Sequence, residues 1–259
     1  MRLLAPALSA AMLLALCLPS SSPAYPGGTM HYVTDTGPFC ASCHSAAKAE
    51  YMPEVPGKYA ESETPGQKHY GLVNAMLPPS PYLELSKDQK EAVINEAKLI
   101  DRNSSVTIEA PPRAGAGEEI EVTVKATGGN GPVICVMLVD RALRFQARPV
   151  SSSGWMIKGE PEVRGRDGKV QSDWLDRRGE GLARNLNFIT VTGVEYDPDK
   201  KVFPSGQVTW TLRAPTEPGT YTLTAAFLYG TENSETAGYF QRPSGRILFS
   251  KEVKVRVTE

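Results

Sequence analysis

Hydrophobic and polar positions fall into three textures along the chain. Leu3 to Leu18 is an apolar run containing Leu13, Leu14 and Leu16, preceded by Arg2 and followed by Ser22-Pro23-Ala24. A charged start, an apolar centre and a small-residue end make the pattern of a secretory signal, with cleavage expected after Ala24. Pro6 and Ser9 interrupt the run, which falls short of the ~20 apolar residues a bilayer helix needs. Cys17 opens the alternative of lipid attachment, against which stands the bulky Leu16 just before it.

Residues 25–102 are irregular and rich in Pro, Gly, Lys, Glu and Tyr. One helix stands out, from Ser86 to Ile100. Ser86 and Gln89 form a capping box, in which the serine oxygen takes an amide and the glutamine reaches back. Val93, Ala97 and Ile100 then fall at i, i+4 and i+7 and give one apolar stripe. The rest reads as loops and short helical turns, too irregular to hold together by apolar burial alone.

From Asn103 the period changes to two. Strands are predicted at Ser105–Ile108, Ile120–Val124, Val133–Val139, Arg144–Val150, Gly154–Lys158, Leu186–Val194, Gln207–Arg213, Thr220–Phe227, Arg246–Phe249 and Val253–Val257. Val133–Val139 is continuously apolar, as a strand buried on both faces would be. Gly128-Gly129-Asn130-Gly131 is a turn cluster. Pro218-Gly219-Thr220-Tyr221 resembles the corner at which a tyrosine hydroxyl ties strand to backbone in β-sandwiches. The fold class is therefore mainly β: a small loop-rich, helical segment followed by an immunoglobulin- or fibronectin-like antiparallel sandwich. Three parts are expected: a signal peptide (1–24), a small N-terminal domain (25–102) and the sandwich (103–259).

Composition narrows the function. Lys plus Arg is 28 and Asp plus Glu 29, a formal charge of −1, so the sequence-independent phosphate attraction of a nucleic-acid binder is missing. Four cysteines are too few for a disulfide-built scaffold, and three histidines leave little room for a multi-metal centre. Cys135, inside Val133–Val139, reads as a buried thiol acting as a small hydrophobe. No stretch after the signal is apolar enough to span a membrane, so the mature chain is expected in the periplasm or outside the cell.

Phe39-Cys40-Ala41-Ser42-Cys43-His44 carries the chemistry. It contains C-x-x-C-H, the attachment pattern of c-type haem. Two thiols spaced by two residues can form thioethers to the two vinyl groups on one porphyrin edge, and His44 then lies under the iron as proximal ligand. A covalent macrocycle would also supply the apolar core that residues 25–102 lack. Thioredoxin-type and half-zinc readings of C-x-x-C fit less well. The βαβ context of the first is absent, and the second pair of ligands required by zinc is missing.

Residues 36–44, Thr-Gly-Pro-Phe-Cys-Ala-Ser-Cys-His, are similar to haem-attachment segments of bacterial periplasmic electron-transfer c-type cytochromes. The resemblance implies one covalent haem c held by Cys40 and Cys43, with His44 as fifth ligand. For the sixth ligand, His69 lies 25 residues beyond His44 and is followed by Tyr70, as distal histidines of such proteins often are by an aromatic residue. Met76, His31 and the Tyr25 amine are the alternatives.

Two strong-field protein ligands would make the iron a carrier of single electrons to or from redox partner proteins, other cytochromes among them. An open sixth position would instead point to a haem enzyme or gas sensor. A third possibility makes the sandwich a partner-binding module with haem as a structural clamp. Arg164, Arg166, Arg177, Arg178 and Arg184 lie in a Gly-rich stretch that reads either as a solvated loop or as a docking surface for an acidic partner.

Overall fold

The computed structural model describes residues 64–77, 80, 82–142, 149–172, 186–231 and 245–259. The expected signal segment, Cys40, Cys43 and His44 lie outside the described residues. Among the described residues, two helices precede the strands, α1 (Pro65–Asn74) and α2 (Lys87–Arg102). Ten strands follow: β1 (Ser105–Glu109), β2 (Arg113–Gly115), β3 (Glu119–Thr127), β4 (Val133–Val139), β5 (Met156–Arg164), β6 (Phe188–Thr192), β7 (Ser205–Arg213), β8 (Gly219–Gly230), β9 (Gly245–Phe249) and β10 (Val253–Thr258).

They form a sandwich. One sheet has the order β1-β3-β7-β5; the other runs β2-β10-β8-β4-β6, with β9 also on β8. The long β8 carries two neighbours on one edge, β10 along Gly219–Leu223 and β9 along Ala226–Gly230, and β4 on the opposite edge. Pairing is antiparallel except for β2 beside β10.

Alternation fixes which faces meet. Ile120, Val122 and Val124 of β3 lie opposite Leu212, Trp210 and Val208 of β7, and all six are buried in the inter-sheet core. The intervening Glu119, Glu121 and Lys125 are exposed, so a one-residue slip would bury three charges. β4 is buried along its whole length. Ile134, Val136 and Leu138 face the inter-sheet core, while Val133, Cys135, Met137 and Val139 belong to a second apolar cluster with Phe188, Ala226, Leu228 and Ile247.

The corner expected at Tyr221 is present, its hydroxyl donating to the carbonyl of Glu217 at 2.8 Å. Trp155 packs edge-on against the Tyr221 ring, with centroids 6.2 Å apart. The expected strand at Arg144–Val150 differs: Val150 opens a 3₁₀ turn (Val150–Ser153), and 143–148 lie outside the described residues.

The predicted helix is α2, and both bonds of its capping box are made. Ser86 N donates to Gln89 Oε1 at 2.8 Å, and Gln89 N to Ser86 Oγ at 3.3 Å. α1 was not expected as a helix, because two glycines and no alanine in ten residues give it weak intrinsic propensity. Pro65 at the first helical position and the buried pair His69 and Val73, four residues apart, compensate.

Of the expected small N-terminal part (25–102), residues 25–63 lie outside the described residues. The two described helices pack onto the sandwich, and Ile100 of α2 belongs to its core. The last turn of α2 is seated by Ser104, whose Oγ donates to Ile100 O at 2.8 Å and accepts from Gly129 N at 3.1 Å.

Candidate functional site

The helices and the sandwich meet through a buried polar cluster. Tyr229 of β8 and Arg246 of β9 are register partners, so their side chains leave the sheet side by side. Both are essentially inaccessible to water. α2 ends over them, and Asp101 in its last turn supplies the counter-charge. Asp101 Oδ1 accepts from Tyr229 Oη at 2.9 Å. Its Oδ2 accepts from Arg246 Nε at 3.3 Å and from Tyr70 Oη at 3.2 Å. One carboxylate thus joins α1, α2, β8 and β9.

Arg246 spends the rest of its guanidinium locally. Nη1 donates to Gly245 O at 3.3 Å, and Nη2 lies 2.9 Å from His69 Nδ1. A guanidinium has donors only, so Nδ1 is the accepting nitrogen and the ring proton sits on Nε2. Nε2 in turn donates to Tyr82 Oη at 2.7 Å. Ser80 braces that tyrosine: its Oγ donates to Leu72 O at 2.7 Å and accepts from Tyr82 N at 3.3 Å. Lys98 Nζ sits 5.3 Å from the centre of the Tyr70 ring, within reach of a cation–π contact.

Burial shifts the two phenols that touch Asp101. Tyr229 is held well above the ordinary tyrosine value, first because burial disfavours the phenolate and second because Asp101 is negative. Tyr70 is raised for the same two reasons. The cluster therefore carries one carboxylate, one guanidinium and neutral phenols. Its donors and acceptors face each other, which suits a fastening better than a reaction centre.

His69, the expected sixth ligand, is only 3% exposed and has both ring nitrogens in these hydrogen bonds. Met76 lies just past the end of α1 and is 85% exposed. Cys40, Cys43, His44, His31 and Tyr25 are outside the described residues. Among the described residues, no group of three or more His, Cys, Asp and Glu side chains could hold a metal ion. Thioether and imidazole are both haem-iron donors; of the two described candidates, Met76 is exposed and His69 buried.

Sequence reasoning passed over Asp101, Tyr229, Tyr82 and Arg246. A signal for Arg246 existed: it is a charge within a short strand, beside Ile247, and a charge buried in a sheet needs a partner elsewhere. Of the arginine-rich stretch, Arg164 Nε donates to Glu162 at 2.7 Å and Arg166 Nη1 to Glu195 O at 3.4 Å. Cys135 is buried, as expected.

No family model matches the chain, and no curated protein matches it. Among solved structures, the chain is similar to the CARDB domain of a Pyrococcus furiosus protein, determined in complex with di-metal ions. The identity is 13%, over 60% of this chain and 90% of that one, with a TM-score of 0.26. These findings correct the expected family. No family model matches, that of a c-type cytochrome included, so the resemblance of residues 36–44 does not extend to a family. The physical reason is that residues 36–44 reflect attachment chemistry, and a nine-residue segment does not specify the fold that surrounds it. Among the described residues, no helix is long and apolar enough to cross a membrane.

Proposed function

We propose that this chain is an exported one-electron carrier, built on an immunoglobulin-like sandwich, that holds a single covalent haem near the mature N-terminus. The observation that carries the reading is the run Cys40-Ala41-Ser42-Cys43-His44. Cys40 and Cys43 would hold the porphyrin through thioethers, and His44 would bind its iron. The haem supplies reversible exchange of one electron between Fe(II) and Fe(III). The signal pattern of residues 1–24 supports export, the compartment in which such haem is attached.

The carrier reading accords with a buried polar cluster whose members are paired with one another. Asp101, Arg246 and His69 are committed to each other and to tyrosines. The cluster's work is to fasten the helices that follow the haem-binding run onto a rigid body. Electrons would pass to and from other redox proteins, with the arginine-rich stretch offering charge to an acidic partner.

The test is expression of the full chain in a host that attaches haem in its periplasm. Purified protein is expected to be coloured, to exceed the mass of the bare mature polypeptide by one haem, and to show a low-spin spectrum indifferent to carbon monoxide. Colourless protein of bare polypeptide mass would overturn the reading. A spectrum shifted by carbon monoxide would replace the carrier by a haem enzyme or gas sensor.

A further inference from the structure

We propose that the outer face of the second sheet, where β2, β10 and the start of β8 lie side by side, is a docking surface for an acidic protein. The inference goes beyond the haem reading and does not depend on it.

Register defines the face. Ala114 of β2, Val255 and Val257 of β10 and Leu223 of β8 belong to the inter-sheet core. Alternation therefore turns Arg113, Lys254 and Arg256 outward, and all three are exposed. Arg113 and Arg256 are register partners on neighbouring strands, while Thr220 and Thr222 of β8 lie opposite Arg256 and Lys254. Farther along the same sheet, around Ala226 and Leu228, the outer face is apolar and buried. The face is thus closed at its apolar end and open at its cationic end.

These cations differ from others in the sandwich. Lys125 faces Glu109, Arg164 faces Glu162, Arg213 faces Glu119 and Arg246 faces Asp101. Among the described residues, Arg113, Lys254 and Arg256 have no carboxylate partner. Glu252, two residues before Lys254, accepts instead from Ala142 N at 3.1 Å. The backbone also keeps the two arginines together. Arg256 N donates to Pro112 O at 3.0 Å and Ala116 N to Thr258 O at 2.8 Å, which pins β2 to β10 on either side of the pair. Like charges set opposite each other on neighbouring strands cost stability. An anion lying across both would remove that cost.

The chemistry selects the partner. Neighbouring strands lie ~4.8 Å apart, and carboxylates at i and i+4 of a helix are ~5–6 Å apart. An acidic helix can therefore offer one carboxylate to each arginine fork, and a fork takes a carboxylate through two parallel hydrogen bonds. A membrane fits less well. Three cations supply only ~3 kcal/mol at an anionic leaflet, and among the described residues no exposed large apolar side chain belongs to β2, β8 or β10. Nucleic acid fits less well too, since three phosphate contacts on a chain of formal charge −1 release few counterions.

The test titrates the full-length protein with a synthetic helical peptide bearing Glu at positions four apart, and with its Gln counterpart. Vesicles containing phosphatidylserine and duplex DNA are separate arms. Wild type is compared with Arg113→Gln/Arg256→Gln and with Lys125→Gln/Arg213→Gln, which removes the same charge from paired cations of the other sheet. Wild type is expected to bind the Glu peptide and not the Gln peptide, with an affinity that falls as salt rises. Arg113→Gln/Arg256→Gln is expected to lose about tenfold or more, as two charge-assisted contacts disappear, and Lys125→Gln/Arg213→Gln to bind as wild type does. Without peptide, Arg113→Gln/Arg256→Gln is expected to melt no earlier than wild type, because repulsion is relieved. No binding of the Glu peptide by wild type, or equal binding by Arg113→Gln/Arg256→Gln, would overturn the assignment. Earlier melting would make the arginines structural and overturn it as well. Tighter binding to the vesicles or the DNA than to the peptide would overturn the choice of partner. None of these readouts needs haem, so failure here and failure of the carrier reading are told apart.

Discussion

Arg246 of β9 donates to His69 of α1 across 2.9 Å, although 177 residues separate them in sequence. With Asp101 on the other side of the guanidinium, this contact fastens the helices to the sandwich.

The fastening should be worth more than its surface counterparts. Arg246 is 1% exposed, so replacing it with Met leaves the Asp101 carboxylate and the His69 nitrogen without their donor. Breaking a buried pair from one side costs about 3–5 kcal/mol. Urea unfolding of Arg246→Met is expected to show a loss near the lower end, because Asp101 keeps its two tyrosine donors. A matching loss in Lys125→Met, whose partner Glu109 is exposed, would contradict this account.

Alkaline pH should loosen the same region. The folded state holds the Tyr229 and Tyr70 protons more tightly than the unfolded chain, whose phenols titrate near pH ~10. Stability from these groups is therefore intact below about pH 10 and is lost as pH rises through the folded values. Urea midpoints measured across that range should fall more steeply in wild type than in Tyr229→Phe. Equal slopes would mean that Tyr229 does not carry the effect.

Gly128 packs tightly against Ser104, just beyond the end of α2. Its φ is +120°, and a Cβ there would fall on the Oγ and Cα of Ser104. Gly128→Ala is expected to destabilise by more than about 2 kcal/mol, strain and overpacking adding together. Hydrogen exchange should show the loss first in the last turn of α2. Uniform loss across the sheets would argue against a local clash.

Tyr221→Phe removes one hydroxyl donor at the sandwich corner and leaves the ring against Trp155. A loss of about 1 kcal/mol is expected, or a fall in Tm of about 2–4 °C for a chain of this size. Near-ultraviolet dichroism from Trp155 should be unchanged, since the aromatic contact survives.

The strands were legible because burial imposes strict alternation: Ile120, Val122 and Val124 announce β3 without reference to their partners. Val133–Val139 was legible as doubly buried for the same reason, since two packed faces leave no polar position. The Ser86–Gln89 capping box was legible because both halves of it are local. α1 was not, because its glycines hide a helix that is stabilised from outside by packing. β2 is three residues long after two prolines and has no period to show.

The sequence by itself determined the sandwich, the helix that precedes it and the run Cys40–His44 on which the haem proposal stands. It also singled out His69, but not what His69 does. Only the tertiary structure decided that, by bringing Arg246 and Tyr82 onto its two nitrogens. Periodicity reports which residues are buried, because burial is a one-body property of each position. Which polar groups find each other inside is a property of pairs far apart in the chain, and no local pattern encodes it.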